Sequence, residues 1–368
     1  MSDRNRKVLY EILQKDGNKE CADCKTKENV DWASCNLGIF LCQDCAGIHR
    51  SLGVDHSRVK SIKLDNWDDE QVKKMAEAGN ENVNKYYEQH LPKYYKQPTK
   101  NDKDVLKIQF IKAKYVRKEF IYPDKQAPYS ENKKEGQLFK KGRDRRDYLP
   151  RNFIVNSKEN CIQYYNKNEL IDSIPLDDVN VVLAPEKMDV PNGLQIIFTQ
   201  NRNTRNIFVD CKDPKEAVDW FTSIRSAKLE RRRLAHPASS EEELAQDLTV
   251  DFACEGWLSK RGPKKERYRR RWFTLDRRKL MYFSEPLGAV PKGEAYIGHR
   301  DAGFSIENTN SYGKVDPLEF ILKTSERDFD LKAETIDDKD RWINVLNTVI
   351  STPPSPADIR LYSHMIRR

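Results

Sequence analysis

One sequence pattern occurs twice in this chain, with 120 residues between equivalent positions. Residues 135–142 read EGQLFKKG, and residues 255–262 read EGWLSKRG. Each copy continues with a basic stretch and then an aromatic-aliphatic segment, RNFIV at 151–155 and RWFTL at 271–275. Short runs of β-branched and aromatic residues separated by turn residues are typical of antiparallel strands. The repeat therefore predicts two copies of one small antiparallel β fold.

Each copy ends in a segment with the pattern of an amphipathic helix. Asp213 can cap the first helix, Pro214 suits its first turn and Glu216 completes a capping-box-like start. Thr335 and Asp338 have the same spacing in the second copy. The apolar stripe is Ala217, Trp220, Phe221 and Ile224 in the first copy, and Trp342, Val345, Leu346 and Val349 in the second. We expect two units of about 100 residues, each a small β-barrel with a C-terminal helix.

The part of the chain before the first repeat is predicted to be mostly helical. Val8, Leu9, Ile12 and Leu13 indicate a first helix, and residues 66–120 continue in a helical pattern. With 38% hydrophobic and 34% charged residues, the chain can form several small cores. No apolar run approaches the ~20 residues of a membrane span, and the N-terminus lacks the apolar core of a signal peptide. We therefore expect a cytosolic protein.

Four of the eight cysteines form two Cys-x-x-Cys knuckles. These are Cys21, Cys24, Cys42 and Cys45. Four thiolates at this spacing predict a closed tetrahedral site for one structural zinc ion, with no open position for chemistry. Cys35 fits neither knuckle and is interpreted as a plain thiol. The spacing also fits a GATA-type DNA-binding finger, so the cysteines alone do not assign a function.

The residues around the knuckles match a known family. Residues 32–34 (WAS) lie between the knuckles, and residues 46–53 (AGIHRSLG) follow the second one. Residues 59–61 (VKS) and 64–67 (LDNW) come next. In this order and spacing they resemble the ArfGAP zinc module, and the resemblance covers roughly residues 5–125.

The resemblance implies that Arg50 is an arginine finger for an Arf-type small GTPase. GTP hydrolysis spreads negative charge over the transferring phosphoryl group, and a guanidinium supplies fixed charge and directed donors there. Trp32 either contributes to the GTPase-facing surface near this arginine or packs in the core. Asp65 either orients Arg50 through a charge-assisted hydrogen bond or caps a helix. His56 is given no role, because this stretch departs from the family pattern.

The two repeats resemble PH domains, and the whole chain resembles the ArfGAP with dual PH domains family, the centaurin-alpha group. In phosphoinositide-binding PH domains, a lysine on the first strand, an arginine on the second and a tyrosine on the third converge on the inositol phosphates. The matching residues are Lys140, Arg151 and Tyr164 in the first repeat, and Lys260, Arg269, Arg271 and Tyr282 in the second. The resemblance implies binding of phosphatidylinositol trisphosphate and of its soluble inositol tetrakisphosphate head group.

Positive charge is concentrated around both expected pockets. The net charge is +8, and residues 264–271 of the second repeat carry six cations and one acid. The first repeat has cations at Lys141 and at positions 143, 145 and 146, but Leu149 and Asn152 stand where stronger binders carry cations. We expect the second pocket to bind more strongly. Two linked sites predict bivalent attachment to a membrane.

These expectations define an α+β multidomain protein, with a zinc-containing and mostly helical ArfGAP module followed by two PH-type β-barrels, each with a C-terminal helix. The expected boundaries are 1–128 for the zinc module, 129–232 for the first PH domain, 233–251 for a linker, 252–356 for the second PH domain and 357–368 for a mobile tail.

The expected function is activation of an Arf-family GTPase in trans, without chemistry of the protein's own. Its expected partners are that GTPase, phosphoinositide membranes and inositol polyphosphate, with no nucleic acid, and the protein is expected to be a monomer. It would be cytoplasmic and recruited to the plasma membrane, and the sequence leaves a nuclear pool open. The alternatives are a phosphoinositide-binding adaptor without activity on a GTPase, and a GATA-like DNA-binding protein.

Overall fold

A computed structural model describes most of the chain. The described residues are 2–131, 133–142, 147–201, 203–262, 267–308 and 316–355, together with 358, 359, 362, 363 and 365. The chain divides into two compact units. The first comprises Met1–Gly136, Ile154–Asn160 and Cys211–Leu248, and the second comprises Gln137–Phe153, Cys161–Asp210 and Thr249–Arg368. Among the described residues, no helix combines the length and apolar character needed to cross a bilayer.

The N-terminal part of the first unit combines helices with one small antiparallel sheet. Its helices are α1 (Ser2–Leu13), α2 (Gln43–Ser51), α3 (Asp69–Glu77), α4 (Gly79–Tyr87) and α5 (Asp104–Ile111), the last continued by a π-helical segment at Lys112–Arg117. Its strands are β1 (Trp32–Ser34), β2 (Ile39–Leu41) and β3 (Val59–Ser61), in the order β2-β1-β3. Helix α1 and the helices after residue 65 were predicted from the sequence, whereas α2 and the three-residue strands were not.

The hydrophobic core of this part lies between α1, the small sheet and α3. Leu9, Ile12, Phe40 and Met75 are buried in one cluster. Gly38 turns the chain between β1 and β2 with φ at +77°, and a Cβ there would also collide with Ala78. Glycine is therefore required at this turn, both by its backbone angle and by the close approach of α3.

The two repeats have the same strand topology, as their sequences predicted. The first contains β4 (Lys133–Lys141), β5 (Tyr148–Asn156), β6 (Cys161–Asn166), β7 (Glu169–Pro175), β8 (Asn180–Leu183), β9 (Gly193–Gln200) and β10 (Asn203–Asp210). The second contains β11 (Cys254–Lys260), β12 (Arg269–Asp276), β13 (Lys279–Phe283), β14 (Gly293–Tyr296), β15 (Ser305–Asn308), β16 (Glu319–Lys323) and β17 (Asp328–Lys332). The strand orders are β7-β6-β5-β4-β10-β9-β8 and β14-β13-β12-β11-β17-β16-β15.

Each repeat is followed by its predicted helix. These are α6 (Pro214–Ala235) and α8 (Ile336–Ser351), with a short α7 (Glu241–Ala245) between the repeats. The Asp213 carboxylate accepts from the Glu216 amide at 2.8 Å, and the Thr335 hydroxyl accepts from the Asp338 amide at 3.1 Å. Both predicted caps and both predicted apolar stripes are confirmed.

The repeated glycines have a packing role. A Cβ on Gly136 would lie 3.2 Å from the Trp220 ring, and one on Gly256 would lie 3.6 Å from Nε1 of Trp342. Both tryptophans are buried. The first strand and the last helix of each repeat thus meet at a glycine–tryptophan contact, which explains why both residue types recur.

Candidate functional site

The four knuckle cysteines lie together in a buried cluster. Their sulfur atoms are all within 4.8 Å of one another, and the Sγ atoms of Cys24 and Cys42 are 3.6 Å apart. Tetrahedral zinc with Zn–S bonds of about 2.3 Å separates its sulfur ligands by roughly 3.8 Å, so the cluster has the size and the soft donor set of such a site. The predicted convergence of these four residues is confirmed.

The second knuckle also starts the helix that carries Arg50. Cys42 is the N-cap of α2, and Cys45 lies in its first turn. Arg50 follows five residues later in the last turn, which places it about 7.5 Å along the helix axis from Cys45. The cysteine cluster therefore lies at one end of a short helix and Arg50 at the other end.

The Arg50 side chain is exposed and lies over the ring of Trp32. The guanidinium carbon is 4.2 Å from the ring centroid, within the range of a cation–π interaction. Trp32 is half-buried on β1, so one part of the ring is anchored while the other supports the guanidinium. Trp32 thus contacts Arg50, whereas its contribution to a GTPase-facing surface stays a prediction.

A fully buried polar network contacts α2 in its last turn. The Asp23 carboxylate lies 3.0 Å from Nε2 of His49 and accepts from Nζ of Lys114 and the hydroxyl of Tyr115, each at 3.0 Å. The other ring nitrogen of His49 lies 2.9 Å from the Ser57 hydroxyl. The network joins the first knuckle, α2 and the segment after α5, and it holds the residue next to Arg50.

Electrostatics stabilise the charged forms within this network. Burial alone would raise the pKa of Asp23, but Lys114 and His49 hold it below its ordinary value. Burial alone would lower the pKa of Lys114, but Asp23 and Glu88 raise it. The negative charge of Asp23 and the positive charge of Lys114 compensate each other, and charged groups are buried in proteins when they are paired in this way. None of these residues was predicted from the sequence, because their partners are distant along the chain.

Asp65 does not have the predicted contact with Arg50. Its carboxylate accepts from the Ser61 amide at 2.6 Å and so closes the turn after β3, and no ion pair joins it to Arg50 within the described part of the chain. In this structure Asp65 does not orient Arg50, because this short backbone turn engages its carboxylate, and the cap of α3 is Asp68 rather than Asp65. His56 is exposed, and its carbonyl accepts from the Asn36 side chain.

In the first repeat, Lys140, Arg151 and Tyr164 lie close together at the end of the sheet. Nζ of Lys140 is 5.2 Å from the ring centroid of Tyr164, and that ring stacks on Phe153 with centroids 5.3 Å apart. Burial, together with the charge of Arg151, lowers the pKa of Lys140. Burial and Asp172 raise the pKa of Tyr164 to about 12.

The second repeat has the same arrangement. Nζ of Lys260 lies 5.2 Å from the Tyr282 ring centroid, and burial together with Arg327 and Arg271 lowers the pKa of Lys260. Lys260 pairs directly across from Arg269 in the sheet, with Arg271 two residues further along the same strand. Directly opposed residues share one face of a sheet, so these cations point the same way.

A third cation occupies the same position in both pockets, and it was not predicted from the sequence. Lys140 is paired with Val209, and Lys260 is paired with Leu331. Arg205 and Arg327 lie four residues before these two partners, respectively. Aligning the last strands of the two repeats would have identified Arg205 and Arg327 as equivalent. These two residues are 122 residues apart, so the 120-residue offset of the repeat does not match them.

Arg205 and Lys140 line one cavity, whereas Arg327 and Lys260 share one ring. The cavity at the first repeat has a volume of about 350 Å³ and is also lined by Tyr164 and Asp172. In the second repeat, the guanidinium carbon of Arg327 is 4.5 Å from the centroid of Phe329, and Nζ of Lys260 is 5.6 Å from it. The predicted cations at positions 143, 145, 146, 264 and 265 lie outside the described residues.

Comparisons with known proteins agree with this division of the chain. Residues 6–124 match the family described as a putative GTPase-activating protein for Arf, and residues 132–229 and 252–351 match the PH domain family. Arf-GAP with dual PH domain-containing protein 2 from Mus musculus is 39% identical over 365 residues, covering 96% of this chain and 95% of the relative. The Homo sapiens protein of the same name is 37% identical, covering 96% and 95%.

The N-terminal region of the chain also has relatives outside this group. Stromal membrane-associated protein 1 from Homo sapiens is 42% identical over 127 residues, covering 34% of this chain and 26% of the relative. The match of residues 6–124 to the Arf GTPase-activating family places this chain in the class of ArfGAP-domain proteins. Because the match spans nearly all of both chains, this protein belongs to the family of Arf-GAPs with dual PH domains.

Proposed function

We propose that this protein accelerates GTP hydrolysis by an Arf-family GTPase and that Arg50 is the arginine finger. The observation that carries the proposal is the exposed guanidinium of Arg50, stacked on Trp32 at 4.2 Å and attached to a helix that starts in the cysteine cluster. An arginine presented from a rigid base is what a transition-state stabiliser requires, because a misplacement of about 1 Å can cost roughly 100-fold in rate.

The chemical step belongs to the GTPase, and the role of Arg50 is electrostatic. Its guanidinium would enter the nucleotide site and donate to the phosphoryl oxygens on which negative charge develops. Arginine fingers contribute about 10³–10⁵ in rate, which corresponds to roughly 4–7 kcal/mol. A lysine carries the charge without the planar set of donors, so it would replace only part of this effect.

We propose that the cysteine cluster holds one zinc ion. The support is the donor set, since four buried sulfur atoms within 4.8 Å of one another match closed Cys₄ zinc sites. Zinc bound by four thiolates has no open position and supplies folding stability rather than catalysis. Cys21, Cys24, Cys42 and Cys45 would hold the ion, while the Asp23 network packs around the same loops.

We propose that both PH domains bind phosphoinositide head groups of the trisphosphate type, and also soluble inositol tetrakisphosphate. The support is the repeated cation set, which is Lys140, Arg151 and Arg205 in the first domain and Lys260, Arg271 and Arg327 in the second. Guanidinium groups bind phosphate oxygens in pairs, and each ammonium adds a point charge. The protein would be a cytoplasmic monomer that these sites bring to the plasma membrane.

The test is single-turnover GTP hydrolysis by an Arf-family GTPase on vesicles, with and without phosphatidylinositol trisphosphate. We expect the protein to stimulate hydrolysis and to do so more strongly when the lipid is present, because attachment raises its local concentration. Head-group binding without any stimulation would instead favour the adaptor function and would refute the proposed activity.

A further inference from the structure

The cavity of the first PH domain has an apolar rim in addition to its cationic lining. Lys140, Lys141 and Arg205 line it together with Asp172, which accepts from the Gln200 side chain at 2.7 Å. Ile171 lies on the same cavity wall and is 46% exposed. Leu170 beside it is 47% exposed. Two neighbouring aliphatic side chains, one of which lines a charged cavity, are exposed and require an explanation.

The backbone directs Ile171 outward through an irregularity in the strand. In the β6–β7 pairing, Tyr164 is opposite Asp172 and Tyr165 is opposite Leu170, so Ile171 is the extra residue of a bulge. Bulges change the direction of a side chain and are common next to binding sites. β7 is also an edge strand, where exposed apolar residues favour aggregation unless a partner covers them.

A further part of the apolar rim comes from the second PH domain. Leu287, Ala289 and Val290, in the loop between β13 and β14, line the cavity of the first domain, and Val290 is 41% exposed. Asn206, next to Arg205, holds this loop in place. Its backbone amide donates to the Ala289 carbonyl at 2.8 Å, and its side-chain amide donates to the Gly288 carbonyl at 3.1 Å.

We propose that Ile171 and Val290 form a composite membrane-insertion rim, which enters the interfacial and acyl region of a bilayer while the cationic cavity holds a phosphoinositide head group. The inference rests on the proposed lipid binding and adds a contribution from both domains to one site. Charge complementarity identifies the occupant, because an anionic head group and its attached glycerol and acyl chains match a cationic cavity bordered by apolar side chains.

The proposed rim should increase the affinity of the protein for lipid in a membrane but not its affinity for the soluble head group. A soluble inositol phosphate binds the charged and polar groups of the cavity lining, so it gains nothing from the exposed aliphatic groups of Ile171 and Val290. A lipid in a vesicle brings hydrocarbon against both side chains, and burial of aliphatic side chains from water is favourable. The two ligand forms therefore separate the rim from the charged lining.

The test is a comparison of the double variant Ile171→Ser/Val290→Ser with the full-length parent, both in an Arg271→Ala background that weakens the second pocket. Co-sedimentation uses phosphatidylcholine vesicles with phosphatidylinositol 3,4,5-trisphosphate, and calorimetry uses inositol 1,3,4,5-tetrakisphosphate. We expect vesicle affinity to fall about tenfold, equivalent to about 1.4 kcal/mol, with head-group affinity unchanged. The control is Leu234→Ser/Ile336→Ser, which removes two aliphatic side chains that are 65% and 46% exposed and lie outside the rim; it should leave both affinities unchanged.

Unchanged vesicle binding in the rim variant would overturn the inference while leaving lipid recognition intact. An equal loss of vesicle and head-group binding would overturn it as well, because the rim would then be part of head-group recognition or of folding. If the parent binds neither vesicles nor head group, the proposed lipid function itself fails. Thermal unfolding midpoints of all variants identify any loss that comes from misfolding.

Discussion

Replacing Trp32 with alanine should slow the stimulated GTPase reaction without weakening the complex with the GTPase. The Arg50 guanidinium carbon lies 4.2 Å from the Trp32 ring centroid, and both groups are partly exposed. Cation–π interactions at such exposed sites contribute about 0.5–1 kcal/mol, which corresponds to a factor of about two to five. Losing the stack leaves Arg50 charged but less ordered, so the maximal rate should fall by about that factor.

The assay is single-turnover hydrolysis measured over a series of concentrations, which separates the maximal rate from the half-saturating concentration. Trp32→Phe keeps a ring under the guanidinium and should retain most of the rate. Thermal unfolding shows whether loss of the half-buried ring has damaged β1. The reasoning is refuted if Trp32→Ala leaves the maximal rate unchanged, or if the whole effect appears in the half-saturating concentration, which would indicate direct contact with the GTPase.

Three further outcomes are expected. Lys114→Met leaves the buried Asp23 and the partly buried Glu88 without their cation and should lower the free energy of unfolding by about 3–5 kcal/mol in a urea titration, whereas Lys112→Met in the same segment should have little effect. Arg271→Ala should weaken vesicle co-sedimentation more than Arg151→Ala, because the acidic Asp172 lies in the first cavity; equal losses would contradict this ranking. A zinc chelator should abolish GTPase stimulation and lower the thermal stability of the protein, and full activity in metal-free protein would contradict a structural zinc ion.

The parts of the fold that depend on local sequence patterns could be predicted from the sequence. Both β repeats followed from the recurring 135–142 and 255–262 segments, and both terminal helices followed from their caps and apolar stripes. The cysteine cluster followed from its spacing. The strands β1–β3 were not predicted, because three residues are too few to show a period of two.

Interactions between distant residues could not be read from the sequence. Lys114 is 91 residues from Asp23, and the sequence around either residue does not indicate that the two form an ion pair. Asp65 was interpreted as either orienting Arg50 or capping a helix, yet its carboxylate accepts a hydrogen bond within the adjacent turn. Arg205 and Arg327 can be recognised as equivalent only after the last strands of the two repeats are aligned, because their spacing differs by two residues from the 120-residue offset of the repeat.

The role of Arg50 is tested most directly by single-turnover GTP hydrolysis with Arg50→Ala and Arg50→Lys. The control is Arg4→Ala, which removes another exposed arginine, on α1. We expect the alanine variant to lose about 10³-fold or more of the stimulation and the lysine variant to recover only part of it, with zinc content and vesicle binding unchanged. Stimulation by Arg50→Ala equal to that of the parent would contradict the assignment of this guanidinium as the arginine finger.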